Sequence, residues 1–140
     1  MNIIDEPKKR IIEELIIIYK KKEYFLLVKK IQYFKRIYPN SIFLINLLGN
    51  TYVALKKYSE AIQCFKLIIK SNPKFADAHY NLGIIYKILN NNNYSIIHYN
   101  SCIHLNPKKF EAYNNLGNIY KNQYKIGLAI QNYLRCLEIN

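Results

Sequence analysis

Three histidines, three cysteines and nine acidic residues are the first candidates for chemistry in this chain of 140 residues. His79, His98 and His104 all lie in the second half, whereas Asp5, Glu6, Glu13, Glu14 and Glu23 crowd the start. No histidine is therefore set against an orienting carboxylate, as a base or a nucleophile's partner would need. Cys64, Cys102 and Cys136 have no Cys or His at ligand spacing, which argues against a metal centre or a disulfide framework. The four glycines form no phosphate-cradling loop. These residues predict no enzyme, no cofactor and no metal. The carboxamides are more suggestive. Asn46 and Asn50 are four apart, as are Asn114 and Asn118, so each pair shares a helix face. Asn81 and Asn115 are 34 apart. A carboxamide both donates and accepts, which matches the N–H and C=O of an extended peptide.

That interval of 34 organises the elements that must hold these side chains. It separates Pro39, Pro73 and Pro107, and also the pairs Leu48-Gly49, Leu82-Gly83 and Leu116-Gly117. Tyr52, Tyr86 and Tyr120 follow it, as do Phe65, Tyr99 and Tyr133. So do Ala61, Ser95 and Ala129, and Ile68, Cys102 and Cys136. Six positions in phase through three units define a repeat protein. Within a unit, large side chains recur every three or four residues, the period of a helix with one buried side. The glycines fall inside helices, where each costs about 1 kcal/mol relative to alanine. Their repetition predicts close approach of two helices, with Ala61, Ser95 and Ala129 as the small facing surface. Tyr38-Pro39, Asn72-Pro73 and Asn106-Pro107 end helices, because the residue before proline is driven out of helical geometry. Helices are predicted at 8–21, 24–37, 42–55, 59–71, 76–89, 94–105, 110–122 and 126–139. The run Asn90–Asn93 is assigned to a turn.

Each unit reads Leu-Gly-x-x-Tyr, then small-x-x-x-aromatic, then Pro, and this resembles the tetratricopeptide repeat. The family's Trp is replaced by Ile45, His79 and Tyr113. Residues before Pro39 lack the Leu-Gly pair, although Tyr24, Leu27 and Phe34 fall where a second helix needs them, which reads as a degenerate first repeat. The resemblance implies an all-α, right-handed superhelical solenoid of four antiparallel helix pairs. Its repeats would be 8–41, 42–75, 76–109 and 110–140, within a single array over 1–140. It further implies an adaptor that binds an extended peptide in a concave groove lined by the first helix of each pair. The residues rotated away from the packing face include Phe43, Asn46, Leu47, Asn50 and Val53 in the second pair. In the third they are Asp77, Tyr80, Asn81, Ile84 and Lys87, and in the fourth Glu111, Asn114, Asn115, Asn118 and Lys121. The asparagines are similar to the ladder in protein O-GlcNAc transferases, with Asn50, Asn81, Asn115 and Asn118 as the backbone-binding members. A chaperone-type carboxylate clamp is poorly matched, because Asn46, Glu111 and Asn115 stand where its cations are required. The resemblance leaves room for a regulatory or substrate-recruiting region of a larger enzyme, such as a glycosyltransferase.

Charge supplies a rival of another kind. The net charge is +12, and residues 1–75 carry +9 of it, 15 basic minus 6 acidic. Lys8-Lys9-Arg10, Lys20-Lys21-Lys22, Lys29-Lys30 and Lys35-Arg36 make the first pair basic enough to attract nucleic acid, with tyrosines available for stacking. The same lysines suit a solvated outer face, so a protein or peptide partner is the leading expectation. No apolar run approaches the ~20 residues of a membrane span, nor does the start carry a secretory pattern. Location is expected to be cytoplasmic. Leu134, Leu137 and Ile139 suggest an apolar end that either continues into more chain or pairs with another copy. The cysteines are read as core filler.

Overall fold

The structure, a computed structural model, describes residues 6–140; Asp5 lies outside them. Eight helices and no strand occur among the described residues: α1 Lys9–Lys20, α2 Tyr24–Lys35, α3 Ile42–Ala54, α4 Tyr58–Ser71, α5 Ala76–Ile88, α6 Asn92–Leu105, α7 Phe110–Asn122 and α8 Ile126–Ile139. Every boundary lies within two residues of the sequence expectation. The chain divides into two compact units, one ending at Lys70 and one spanning Ser71–Asn140.

Local chemistry sets the ends of the helices. Ser41 caps α3 by accepting from the Leu44 N–H at 3.1 Å, while its hydroxyl donates to Glu6 Oε2 at 2.5 Å. Glu6 Oε1 accepts from the Ile42 N–H at 2.9 Å, so a carboxylate sits at the positive end of the helix. The side chains of Asn72 and Asn106 accept from the N–H groups of Lys74 and Lys108 at 3.3 and 3.2 Å, which closes a turn around each proline. Between the helices of each pair stands one residue with left-handed backbone: Lys22, Lys56, Asn90 and Tyr124, with φ of 60°, 58°, 57° and 58°. These four are again 34 apart, which carries the repeat into the first pair. The asparagine run is only partly a turn. Asn90 takes the left-handed position, Asn91 caps α6 through the Tyr94 N–H, and Asn92 and Asn93 are already helical.

Packing explains the in-helix glycines, with one correction. A Cβ on Gly83 would lie 2.6 Å from the Tyr99 ring, and on Gly117 2.5 Å from the Tyr133 ring. On Gly49 it would lie 2.8 Å from the Phe65 ring. The group closest to each glycine is thus an aromatic ring, not the small residue expected opposite it, because a ring can lie on helix backbone only where no Cβ projects. The small residue does approach: Ser95 Oγ donates to the Gly83 carbonyl oxygen at 2.8 Å. In the second unit Tyr99 and Cys102 of α6 form a core with Ala112, Leu116 and Ile119 of α7. In the first unit, Leu15 and Ile31 occupy the glycine and aromatic registers, and both are fully buried. A large residue on one helix and a smaller one on the other fill the same space. Cys64 and Cys102 are buried as expected, and burial pushes the Cys102 thiol up to about 11. Cys136 departs from the expected core role, since the α8 surface around it is open.

Gly83→Ala should destabilise by about 1–3 kcal/mol through overpacking, although alanine favours helix. Gly127→Ala, with nothing within 4 Å of its Cβ position, should be neutral or stabilise by up to about 1 kcal/mol. Urea denaturation of the two variants beside the parent checks the contrast.

Candidate functional site

The second unit brings half of the third- and fourth-pair groove candidates into one network across α5 and α7. Asp77 stands in the first turn of α5 and Glu111 in the first turn of α7. Between them lies Lys109, the residue preceding α7, with Nζ 3.0 Å from Asp77 Oδ1 and 3.9 Å from Glu111 Oε1. The same ammonium stands 4.9 Å from the centre of the Tyr80 ring, a cation–π contact. Burial works against the charged lysine, but the hydrogen bond and charge of Asp77, with Glu111 adding, hold its pKa above the usual value. The Tyr80 phenol is shifted up by burial first, then by the Glu111 charge.

Asn115 joins the two helices further along. Its Nδ2 donates to the Tyr80 hydroxyl at 3.4 Å, and its Oδ1 accepts from Lys87 Nζ at 3.1 Å. The face is therefore bipolar, with carboxylates at the helix N-termini and Lys87 and the exposed Lys121 in the last turns. Sequence reasoning missed Lys109, because the equivalent cap positions hold Ser41 and Phe75 and no periodicity flags it.

The remaining candidates are more dispersed. Asn118 accepts from the Tyr133 hydroxyl at 2.9 Å, so its carbonyl serves the α7–α8 contact. Asn114 is exposed, while Asn50, Asn81 and Ile84 are half-buried. In the first unit Leu47 is buried in place of lining a surface. Asn46 is half-buried, and its Oδ1 has no protein partner. Ile84 stands at the register of Asn50 and Asn118, with a consequence for its neighbour Tyr99. Where Tyr133 finds an asparagine, Tyr99 finds isoleucine, and its buried hydroxyl makes no hydrogen bond. Ser95 lies beside it but donates to Gly83. Burial drives the Tyr99 phenol well above its ordinary pKa. Removing an orphaned buried hydroxyl should help, so Tyr99→Phe is expected to stabilise by about 1 kcal/mol, read from the urea midpoint.

Two histidines that the sequence set apart meet. His79 Nδ1 of α5 lies 3.2 Å from His98 Nδ1 of α6, so one ring donates and the other accepts. The His98 ring stacks on Tyr86 at 5.4 Å with 4° between planes, and Tyr86 stacks on Tyr94 at 5.2 Å. Burial lowers the His79 pKa below its ordinary 6.5. The unfolded chain therefore protonates first as pH falls. The contribution is complete above that ordinary value and is lost as pH drops through the folded one. Stability should decline on acidification below about pH 6.5, and His79→Tyr should flatten that decline in urea midpoints taken across the range.

No group of three or more metal ligands occurs among the described residues, and none of their helices is long and apolar enough to cross a membrane. The basic residues Lys8, Lys9, Arg10, Lys20, Lys21, Lys22, Lys29 and Arg36 are exposed. Tyr19 and Tyr24 pack edge to face at 5.7 Å.

Helix pairs repeated at a fixed interval, with a polar face running across successive first helices, define a helical-repeat interaction protein. The chain belongs to the tetratricopeptide repeat family: residues 49–90 match the TPR repeat, and residues 76–109 and 98–131 each match the tetratricopeptide repeat. No curated protein matches the sequence. Among solved structures, "Crystal structure of MamA" aligns with a TM-score of 0.84 at 20% identity, covering 92% of this chain and 75% of that one. MamA 41-end from Desulfovibrio magneticus RS-1 aligns at 0.82 and 18%, covering 97% and 76%. At these identities the likeness speaks to the fold.

Proposed function

We propose that the chain is a non-enzymatic, cytoplasmic adaptor that holds an extended segment of a partner protein against α5 and α7. The observation that carries this reading is the Tyr80–Asn115–Lys87 network, which sets a donor–acceptor side chain between two successive first helices. Its 3.4 Å bond to Tyr80 is weak, so the Asn115 amide can exchange that partner for a backbone carbonyl at little cost. Asn81 supplies a further carboxamide, while Asn118 and its bond to Tyr133 would hold the edge of the surface in place. The poles give direction: acidic side chains of the partner favour Lys87 and Lys121, and cationic ones favour Asp77 and Glu111. Tyr80 and Ile84 add apolar contact.

Exposed cations on α1 and α2 favour a second reading, in which the first unit takes nucleic acid. Affinity for unrelated oligonucleotides that falls steeply with salt would support it, and absence of binding at low salt would remove it.

Changing Asn81 and Asn115 together to Ala should weaken partner capture about tenfold, about 1.4 kcal/mol, with unchanged far-ultraviolet dichroism. The measurement is a pull-down from source-cell lysate with parent and double variant, followed by titration of the recovered segment. Capture that survives the double change intact would sink the carboxamide mechanism.

A further inference from the structure

The outer side of α2 carries more apolar surface than the repeat asks of it. Phe25, Leu26 and Tyr33 are 74%, 43% and 60% exposed, and Ile37, just beyond the helix, is 54% exposed. The Ile37 N–H donates to the Phe34 carbonyl oxygen at 3.0 Å, which carries the helical path past Arg36. Phe25, Lys29, Tyr33 and Ile37 follow at four-residue steps, while Leu26 and Arg36 stand three residues from Lys29 and Tyr33, so all six share one side. Leu27 and Ile31 are fully buried on the other. The repeat supplies a control. One interval later, on α4, the four apolar positions hold Ser59, Glu60, Leu67 and Ser71. A second helix of this array is thus held in place with one apolar residue there. On α2, already packed against α1 and α3, all four are apolar, the opposite of a face meant for water.

We propose that this face of α2 docks on an anionic lipid surface. Phe25, Leu26, Tyr33 and Ile37 enter the boundary between headgroups and acyl chains, and Lys29 and Arg36 meet lipid phosphate and carboxylate groups. Charge selects the sign of the partner. Residues 20–37 hold seven basic side chains and one acidic, a net +6. Glu13 is paired with Lys9 and Glu14 with Lys30, which leaves Glu23, just before α2, as the one acid in that span. The exposed Lys20, Lys21 and Lys22 extend the cations through the bend that leads into the helix. Cations set among apolar groups suit a bilayer, because lysine and arginine stems lie along apolar side chains while their heads stay in water. Nucleic acid would satisfy the cations and stack on the rings, but Leu26 and Ile37 would remain in water. An acidic peptide would need walls to hold its backbone, whereas these six side chains stand out from a single helix. Its buried side already fixes α2 as a helix, so docking carries no cost of helix formation. The contact stands or falls independently of peptide capture on α5 and α7, and it rivals nucleic acid for the same cations.

The test is co-sedimentation of the full chain with phosphatidylcholine vesicles containing about 30% phosphatidylserine, against phosphatidylcholine alone, in about 0.1 M salt. Binding to the mixed vesicles is expected, about tenfold or more above the neutral ones. Phe25→Ser with Ile37→Ser, the residues α4 carries at these positions, should cut that binding about tenfold at unchanged charge and helicity. Lys29→Gln with Arg36→Gln should cut it about tenfold as well, and added salt should weaken the parent. The chain has no tryptophan, so Phe25→Trp gives a single reporter whose emission should shift to the blue only with anionic vesicles. A parent left in the supernatant overturns the proposal, as does equal binding to neutral vesicles. Binding indifferent to the serine changes, or a reporter whose emission stays put, overturns entry of the apolar side chains. An oligonucleotide or poly-glutamate chain bound at lower concentration than the vesicles, and unaffected by the serine changes, gives the face to that partner and overturns the lipid assignment.

Discussion

Three aromatic rings lie on helix backbone where a glycine leaves room, and most of the architecture rests on that contact. Gly49 admits Phe65, Gly83 admits Tyr99 and Gly117 admits Tyr133. At Phe65 and Tyr99 the ring becomes part of the core, and at Tyr133 it is partly buried, so large apolar area leaves water at each junction. Glycine's poor helix propensity is a local cost of about 1 kcal/mol, and burying one aromatic side chain offsets it at about 1.5–3 kcal/mol. The first pair reaches the same end differently. Leu15 stands in the glycine register and Ile31 in the aromatic one, both fully buried. Total volume is what the junction conserves, and either helix can provide the bulk.

Once the pairs are fixed in this way, the first helices are free to vary on the side away from the junction. Asp77, Tyr80 and Lys87 of α5 are joined to Glu111 and Asn115 of α7 by polar contacts, and the Tyr80 ring also packs against the core. Lys109 binds the acidic ends together and shields two carboxylates from each other. Such a surface is polar yet already ordered, so a partner would encounter side chains whose freedom is largely lost before it arrives. Tyr99 shows the reverse case. Its ring serves the junction, but its hydroxyl depends on what the register of Ile84 offers, and isoleucine offers nothing.

The sequence made the helices legible because spacing alone reports them. All sixteen ends lie within two residues of expectation, helped by the prolines and the Leu-Gly pairs. Two kinds of information were out of reach. The first was substitution that conserves volume while changing residue type, as with Leu15 and Ile31, which no motif recognises. The second was contact between residues far apart in sequence and unremarkable in it. Lys109 gains its meaning from Asp77 and Tyr80, and His79 from His98 on another helix. The carboxamides fell between these extremes. Their helix could be read, but whether Asn115 reaches Tyr80 or Asn118 reaches Tyr133 depends on rotamer and neighbour.

The left-handed residues at 22, 56, 90 and 124 carry a consequence for how such arrays can be tuned. Glycine would adopt that backbone without strain, and asparagine nearly so, yet only Asn90 among the four is of either type. Two lysines and a tyrosine hold the others, so those hairpin bends are kept under tension by the helices on either side. Each of the four is exposed. Rigidity can therefore be dialled one hairpin at a time, by relieving or adding tension at a bend.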